Sequence, residues 1–372
     1  MREESRHRCH ARICVYAEHV ASPPSDQTRQ QRRPTMKDVA AAAGVSLKTV
    51  SRVVNGESNV NDDLRASVLE SIAQLGFRRN ASARDLRQGR SGTVGLLLED
   101  VADPFYSILS RAVEDVAREH GTMVFAGSSA EDADRERDLA LAFCERRVDG
   151  LIIVPAGTSH SYLLPEMRAG IPVVFVDRPP GDIEADMVLT DNLGGSRRGV
   201  EHLLSHGHRR IGFIGDAPEI YTAGERLRGY REALESAGIP FSDELVTQAR
   251  PSLDSTAAAL DRLLAGPSPA TALLCGNSRT TVSVLRELAR RSTRLALVGF
   301  DDVELGDLLQ PGLTVIAQDP GAMGAAAARL LFQRIAGDTA GPPQTVTIGA
   351  RLIPRGSGEL RPRPTDAHPP RG

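Results

Sequence analysis

The chain has 372 residues, of which 41% are hydrophobic, 25% are charged and 4% are aromatic, and it contains no Trp. A chain of this length folds into about two or three domains. No apolar run approaches the roughly 18 residues of a membrane-spanning helix, and the run ICVY near the N-terminus is too short for the apolar core of a signal peptide. We therefore expect a globular, cytoplasmic protein rather than an integral membrane protein.

Charge is distributed unevenly along the chain, whose net charge is −3. Residues 1–33 carry seven Arg against four acidic residues, and residues 34–92 carry nine Lys and Arg against six, so each segment has a net charge of +3. Residues 93–372 must therefore carry −9. Because residues 1–92 are basic and the rest of the chain is acidic, we expect a polyanionic partner that binds the N-terminal part alone.

The four cysteines do not predict a metal site. Cys9 and Cys14 lie within residues 1–33, a polar segment without periodicity that we expect to be a disordered extension, and their spacing from nearby histidines fits no zinc template. Cys144 falls in an apolar helix and Cys275 in an apolar strand, so both are predicted to be small core residues. We expect neither a metal nor a cofactor.

A head of three short helices is predicted over residues 34–78. Thr35 and Asp38 have the spacing of a capping box at the first helix, and Gly44 ends that helix. Ser46 is a favourable cap for the second helix. The third helix places its apolar residues at helical spacing on one stripe, namely Leu64, Val68, Ile72 and Leu75.

The second of these helices has two distinct faces. Its inner face carries Val50, Val53 and Val54, and its outer face carries Leu47, Lys48, Ser51 and Arg52. Two cations, a hydroxyl and an exposed leucine near the start of a helix suit a reader of the DNA major groove. Taken alone, the stretch is equally compatible with an ordinary helical hairpin whose charges are solvated.

Residues 79–92 allow two interpretations. Asn80 can cap a helix of about six residues, but an isolated helix needs roughly 12–15 residues to be stable in water. The segment is therefore a flexible basic linker in the absence of DNA. Alternatively, it is a hinge that folds on DNA and inserts Leu86 as an apolar wedge into the minor groove.

From Thr93 onward, apolar strands alternate with amphipathic helices, which is typical of parallel α/β units. Two such units are predicted within residues 93–358, and the second begins at helix 192–206 and includes helix 320–335. A single strand, TVTIGARLI, ends the domain, and residues 359–372 are predicted to be a disordered tail. Ligands of such sheets bind in the crevice at the carboxyl ends of the strands.

In this order the motifs resemble those of the LacI/GalR family of transcription regulators, over residues 34 to about 358. They are MKDVAAAAGVSLKTVSRVVN, RNASARDL, DPFYSILSRAVEDVAREHG, VDGLIIVPAG, LLSHGHRRIGFIGD, RLRGYREAL, VGFDD, LTVIAQD and LIPRGS. The resemblance implies an α/β fold class, in which an all-α helix-turn-helix head precedes a two-lobed, doubly wound, periplasmic-binding-protein-like domain. It also implies a homodimeric repressor of palindromic operator DNA, controlled by a small-molecule effector between the lobes.

The resemblance assigns DNA contacts to nine positions. Those implied to select bases are Leu47, Lys48 and Arg52, and those implied to contact phosphates are Thr49, Ser51 and Asn55. In the hinge, the positions that match minor-groove contacts are Ala83, Arg84 and Leu86. An arginine at the position of Arg52 can pair with guanine through two hydrogen bonds, which is worth about 1–3 kcal/mol of discrimination.

The resemblance likewise assigns effector contacts in the cleft to Asp103, Phe105, Tyr106, Arg178, Arg226, Ser278 and Gln318. Core packing is an alternative role for Phe105, and a salt bridge at the rim is an alternative for Arg178. Ser278 stands where the family usually has an aspartate that accepts hydrogen bonds from sugar hydroxyls. This departure leaves two effector classes, a sugar-like compound or a phosphorylated or carboxylated ligand bound by Arg279 and Arg226.

Two other classes of protein agree less well with the sequence, an exported sugar-binding protein and an enzyme. An exported sugar-binding protein shares the two-lobed fold, but the head, the hinge and the lack of an export signal argue against it. An enzyme lacks support because neither G-x-G-x-x-G nor a P-loop nor a nucleophile signature is present. The adjacent acids Asp301 and Asp302 follow a predicted strand, where acids more often cap the next helix than catalyse.

Overall fold

The computed structural model describes residues 34–57, 59–78, 90–338 and 341–362. These residues form two compact units, one on each side of the segment 79–89. Within the described ranges, no helix is long and apolar enough to cross a membrane. The predicted hinge contacts Ala83, Arg84 and Leu86 lie outside the described residues.

The N-terminal unit contains the three predicted helices, α1 (Met36–Ala43), α2 (Leu47–Val54) and α3 (Asp62–Leu75). The predicted capping box is present, because Thr35 N–H donates to Asp38 Oδ2 at 2.7 Å and Asp38 N–H donates to Thr35 Oγ1 at 3.4 Å. Gly44 ends α1 in the left-handed region at φ 66°, which a residue with a side chain rarely adopts. The sharp turn that follows sets α2 at its angle to α1.

The core of this unit is small and consists of Val39, Ala40, Val50, Val53 and Val68. The predicted stripe on α3 is wrong at its ends, since the side chains of Leu64 and Leu75 are exposed while Val68 is fully buried. Two helices of eight residues each cannot cover a 14-residue helix along its whole length. Only the middle of α3 is therefore buried.

The C-terminal unit consists of two lobes of parallel α/β structure. Lobe 1 contains β1 (Thr93–Leu98), α4 (Pro104–Glu119), β2 (Met123–Ser128), α5 (Ala133–Glu145), β3 (Leu151–Ile153), α6 (Leu164–Arg168), β4 (Val173–Val176) and β5 (Asp186–Thr190). Lobe 2 contains α7 (Asn192–Ser205), β6 (Ile211–Gly215), α8 (Tyr221–Ser236), β7 (Val246–Gln248), α9 (Leu253–Leu264), β8 (Ala272–Cys275), α10 (Ser278–Arg290), β9 (Ala296–Phe300) and β10 (Thr314–Ala317). The chain ends with α11 (Pro320–Ile335), β11 (Thr345–Ile348) and β12 (Arg351–Ile353).

Each lobe has a six-stranded sheet, with strand order β11-β5-β4-β3-β1-β2 in lobe 1 and β12-β10-β9-β8-β6-β7 in lobe 2. The chain crosses between the lobes after β5, after β10 and between β11 and β12. Parallel strands need crossover helices, and these helices cover both faces of each sheet. The carboxyl ends of the strands in both lobes therefore border one cleft.

Three predictions about this unit are wrong. Helix 320–335 was assigned to the second lobe, but α11 packs on α4 in lobe 1, where Met323, Ala327 and Leu331 join its core. The single final strand is two strands, because β11 pairs with β5 in lobe 1 and β12 pairs antiparallel with β10 in lobe 2. Strand β5 was missed because its sequence, DMVLT, is short and begins with a charged residue.

The position of α11 depends on one close backbone approach. A Cβ atom built on Gly324 would lie 2.3 Å from the backbone oxygen of Leu109 in α4. The two helices approach each other closely because glycine leaves that space empty. Cys144 and Cys275 are buried free thiols, as predicted for core residues.

Beyond β12, the chain keeps specific contacts past residue 358. Glu359, which the sequence prediction assigns to a disordered tail, accepts a hydrogen bond from Thr314 Oγ1 at 2.8 Å and lies 2.9 Å from His202 Nε2. The backbone oxygen of Leu360 lies 2.6 Å from His208 Nε2. These contacts tie the end of the described chain to lobe 2.

Candidate functional site

The outer face of α2 presents the residues predicted to contact DNA. Ser46 caps the helix, with Thr49 N–H donating to Ser46 Oγ at 3.1 Å. Val50 and Val53 face the core, so the side chain of Leu47 is left 45% exposed and Lys48 is exposed beside it. A capped helix fixed by its apolar face holds the opposite face in a defined orientation.

The remaining predicted contacts on α2 form interactions that are exposed to solvent. Arg52 Nε lies 3.6 Å from Glu57 Oε2, with both side chains about half exposed, and such surface pairs contribute little stability. Asn55 Nδ2 donates to Ser51 Oγ at 3.4 Å, and the Thr49 hydroxyl lies 2.9 Å from Ser46 Oγ. These side chains can exchange their partners for bases or phosphates at low cost.

The cleft between the lobes brings together all seven residues predicted for effector binding. Its empty space is about 530 Å³, part of it open to solvent, which is within the size range of small-molecule sites. The predicted residues at its surface are Asp103, Phe105, Tyr106, Arg178, Arg226, Ser278 and Gln318. Other residues that line it are Glu99, Asp177, Asp216, Ile220, Thr222, Ala223, Gly276, Asn277, Arg279 and Asp301.

The aromatic wall of the cleft lies at the start of α4. Asp103 caps this helix by accepting from Phe105 N–H at 2.9 Å, which fixes the first turn. The rings of Phe105 and Tyr106 meet edge to face, with 5.0 Å between their centroids. Tyr106 donates its hydroxyl to Glu99 Oε2 at 3.2 Å, and burial raises the pKa of this phenol well above its ordinary value.

Arg178 is buried in lobe 1, and it forms its salt bridges there rather than at the rim of the cleft. Its Nη1 and Nη2 donate to the two carboxylate oxygens of Glu131, at 3.0 and 2.6 Å. Nη1 also donates to Pro155 O at 3.0 Å, and Nη2 to Glu99 Oε2 at 3.3 Å. The adjacent Asp177 is almost fully buried, and this burial raises its pKa above the ordinary value.

Arg226 of α8 is the corresponding buried cation in lobe 2. Its Nε donates to Asn192 Oδ1 at 2.8 Å and its Nη1 donates to Gly276 O at 2.6 Å. The guanidinium carbon lies 3.9 Å from the centroid of the Phe300 ring, which is a cation–π contact. This side chain is therefore held rigidly at the edge of the cleft.

The start of α10 carries the departure from the family pattern. Asn277 caps the helix by accepting from Thr280 N–H at 2.8 Å, and its amide donates to Asp216 Oδ2 at 2.7 Å. Ser278 N–H donates to Asp301 Oδ2 at 3.3 Å. Position 278 thus has no carboxylate of its own. Two carboxylates from the ends of strands bind the start of α10 instead, Asp216 at Asn277 and Asp301 at Ser278.

The expectation that Asp301 and Asp302 cap the helix after them is wrong. No α-helix follows β9 directly, and Asp301 instead accepts from Ser278 N–H in α10 and from Gln318 Nε2 at 2.5 Å. Asp302 binds Arg355 through two bonds of 2.6 and 2.7 Å. Asp301 therefore lines the cleft, while Asp302 stabilises the end of the domain.

Sequence reasoning missed three acidic residues that line the cleft, Glu99, Asp216 and Asp301. Each directly follows a buried strand, β1, β6 and β9 respectively. Polar residues at the carboxyl ends of parallel strands meet in the ligand crevice, so this rule would have found them. The residue order alone gave no sign that Glu131 would reach Arg178 from a loop.

The pKa of Glu99, an acid that lines the cleft, is strongly shifted. Burial, and then the adjacent carboxylate of Glu131, raise the pKa of Glu99 from 4.5 to about 7, against the smaller opposing effects of Arg279 and Arg178. The pKa of Glu131 is lowered, because its bonds to Arg178 outweigh its burial. The two acids therefore differ in charge near neutral pH, because Glu131 stays ionised while Glu99 titrates there.

Two family models match the chain. A model of bacterial regulatory proteins of the lacI family matches residues 35–80, and a model of a periplasmic binding protein-like domain matches residues 200–358. The HTH-type transcriptional regulator CelR of Thermobifida fusca is 34% identical over 342 residues, which are 88% of this chain and 99% of CelR. The chain belongs to the LacI family of bacterial regulatory proteins. It is therefore a DNA-binding transcription regulator, as its motifs implied.

Further LacI-family regulators match over most of their length. The HTH-type transcriptional repressor CytR of Escherichia coli K12 is 28% identical, over 88% of this chain and 97% of CytR. The solved lac repressor dimer bound to operator has a TM-score of 0.77 at 26% identity, over 88% of this chain and 100% of that chain. A CelR–cellobiose complex has a TM-score of 0.64 at 32% identity, over 87% and 100%. These structures share both the helical head and the two-lobed fold.

Proposed function

We propose that this LacI-family protein is a repressor whose α2 reads operator half-sites and whose interlobe cleft binds a small-molecule effector. The observation that carries the proposal is the outer face of α2, where Leu47, Lys48 and Arg52 stand clear of the core on a capped helix. In this assignment Thr49, Ser51 and Asn55 contact phosphates, and the hinge residues Ala83, Arg84 and Leu86 contact the minor groove.

The effector class that the cleft favours is a neutral polyhydroxyl compound. Five carboxylates line the cleft, those of Glu99, Asp103, Asp177, Asp216 and Asp301, against three guanidinium groups. The arginines are already engaged, since Arg226 donates to neutral oxygens of lobe 2 and Arg279 is surrounded by acids. The anionic groups of a ligand would lie against these acidic side chains, whereas hydroxyl groups can donate hydrogen bonds to their oxygens.

One structural neighbour supports the same effector class, because it is a complex of the regulator CelR with cellobiose. The acidic-metabolite class that the sequence left open requires Arg279 or Arg226 to release its present partners. We therefore place the effector against the aromatic wall of Phe105 and Tyr106, with Asp103, Arg178, Ser278 and Gln318 as polar contacts. Stacking on an aromatic face suits a sugar ring.

We also propose that the protein works as a homodimer in the cytoplasm, where its DNA partner lies, and has no enzymatic activity. Apolar side chains remain exposed at one edge of lobe 1, with Met123 64% exposed on the edge strand β2 and Ile108 52% exposed on α4. An exposed apolar edge next to an unpaired strand suits a second copy of the chain. By analogy with the family, we assign this contact to surfaces such as residues 105–120 and residues 138–147.

Selection of binding sites from random duplexes by the purified full-length chain tests the DNA assignment. We expect enrichment of a palindromic sequence, and a library without preference over random competitor would overturn the proposal. Isothermal titration with cellobiose, a neutral hexose, a hexose phosphate and a sugar acid tests the effector class. Binding confined to the neutral compounds supports it, and binding confined to the anionic compounds contradicts it.

A further inference from the structure

Arg279, the second residue of α10 in lobe 2, reaches across the cleft to lobe 1. Its Nη1 lies 2.7 Å from Glu99 Oε1, its Nε lies 3.1 Å from Asp103 Oδ2, and its Nη2 lies 3.5 Å from Asp100 Oδ2. All three nitrogens of one guanidinium thus face a different carboxylate of the opposite lobe. Among the described residues, the salt bridges that cross the cleft all involve this side chain.

The three carboxylates are held in place by lobe 1 itself. Asp103 caps α4 through Phe105 N–H, and Asp100 accepts from Ala102 N–H at 2.9 Å. Glu99 directly follows β1 and also receives a hydrogen bond from Arg178. Because each acid is already oriented, closing the lobes costs little additional side-chain entropy on this side.

We propose that Arg279 is an electrostatic latch that holds the two lobes together in the absence of effector, which rests on the proposed effector cleft. Without Arg279 the acids of lobe 1 would face Asp216 and Asp301 of lobe 2 across the cleft, and like charges favour separation. The guanidinium of Arg279 replaces this repulsion with attraction between lobe 2 and the acids of lobe 1. Arg279 therefore favours the closed arrangement of the two lobes.

The ion pairs of the latch are partly exposed to solvent, since the side chain of Arg279 is 43% exposed. Salt therefore weakens it, because the screening length falls from about 10 Å at 0.1 M to about 3 Å at 1 M. A network of three partly exposed pairs is worth more than one isolated surface pair. We expect its loss to shift the closed-to-open ratio by about fivefold or more.

The test compares four full-length proteins without effector and without DNA: the wild type, Arg279→Gln, Arg279→Lys and Arg286→Gln. Arg286 lies on the same helix and is exposed, and the described structure gives it no salt bridge, so its variant is the matched control. Hydrogen exchange is followed in residues 99–106 of lobe 1, and small-angle X-ray scattering reports overall dimensions. Both are measured at low and at high salt.

We expect Arg279→Gln to exchange about fivefold faster in residues 99–106 and to have a larger radius of gyration at low salt. The wild type should approach this state at high salt, Arg279→Lys should lie between the two, and Arg286→Gln should match the wild type. Unchanged scattering from Arg279→Gln, with or without faster exchange, would overturn the latch. Because no effector is used, this outcome is separate from a failure to find an effector.

Discussion

The two units of the molecule assemble their candidate sites in opposite ways. On α2, the six residues proposed to contact DNA lie between positions 47 and 55 of one short helix and its cap. In the cleft, the lining comes from the ends of strands and helices that are up to about two hundred residues apart, from Glu99 to Gln318. Local sequence therefore determines the first site, and tertiary structure determines the second.

The difference predicts how each site responds to substitution. A site on one helix depends on a small core, so its support can be removed at a single buried position while the other unit stays folded. A site built from two lobes depends on helix packing and on interacting charges, so substitutions there should couple to one another.

Val50→Asp should unfold the N-terminal unit. Val50 is fully buried in a core of five small residues, and an unpaired carboxylate there costs about 4 kcal/mol or more. We expect loss of DNA binding and fast hydrogen exchange over residues 36–75, with an unchanged thermal transition of the two-lobed unit. Leu69→Asp, at an exposed position of α3, is the control and should stay folded. If unfolding spread from Val50→Asp to the lobes, the units would not be independent.

Gly324→Ala should destabilise the two-lobed unit by about 1–3 kcal/mol. The new methyl group would meet the backbone oxygen of Leu109 at 2.3 Å, so α11 and α4 must move apart. Gly224→Ala is the matched control, because Gly224 lies in α8 with no atom near its Cβ position, and alanine there should stabilise by up to about 1 kcal/mol. Urea denaturation measures both. Equal effects of the two substitutions would refute the close packing of α11 on α4.

Sequence signals predicted the elements whose determinants are local. The cap at Thr35, the left-handed Gly44 and the cap at Ser46 each act within four residues, and the helices α1 and α2 were predicted from them. Helix 320–335 was also predicted as a helix, but its assignment to lobe 2 failed. Which lobe it covers depends on the partner surface of α4, and no signal within the helix itself specifies that partner.

The cleft shows the same limit at the level of side chains. The resemblance identified seven residues that the fold brings together, yet it could not give their ionic partners. In one of the two effector classes left open by the sequence, Arg279 binds an anionic ligand, but three carboxylates of lobe 1 already surround it. Such a network depends on how far the lobes close, which is a property of the assembled domain and not of any segment.

Arg52→Ala should reduce discrimination at one base pair by about 1–3 kcal/mol and leave the fold intact. The only ion pair that the structure gives Arg52 is a long, exposed one with Glu57, so its removal should cost little stability. Binding-site selection by the variant should lose preference at one position of each half-site. Glu70→Ala, at an exposed position of α3, is the control. An unchanged base preference in the Arg52 variant would contradict the assignment.

Glu99 should make the stability of the two-lobed unit fall as pH rises from about 4.5 to 7. Its pKa is raised from 4.5 to about 7 in the folded protein, so the folded state holds more protons than the unfolded chain across that window. This contribution is fully present below pH 4.5 and is lost as pH rises through 7, with a slope of at most about 1.4 kcal/mol per pH unit. The opposite contribution of Glu131, whose pKa is lowered, changes below its ordinary value of 4.5 and so lies outside this window.

Glu99→Gln isolates this effect, because the amide keeps a neutral hydrogen-bonding group at the same place and cannot titrate. Urea denaturation at several pH values should therefore give a flatter profile for the variant than for the wild type between pH 5 and 7, a range within the window that the pKa of Glu99 defines. Glu57→Gln, in the N-terminal unit, should leave the profile of the two-lobed unit unchanged. Parallel profiles for the wild type and Glu99→Gln would mean that the charge of Glu99 is balanced within the cleft, and the contrast between a locally determined site and a coupled one would then weaken.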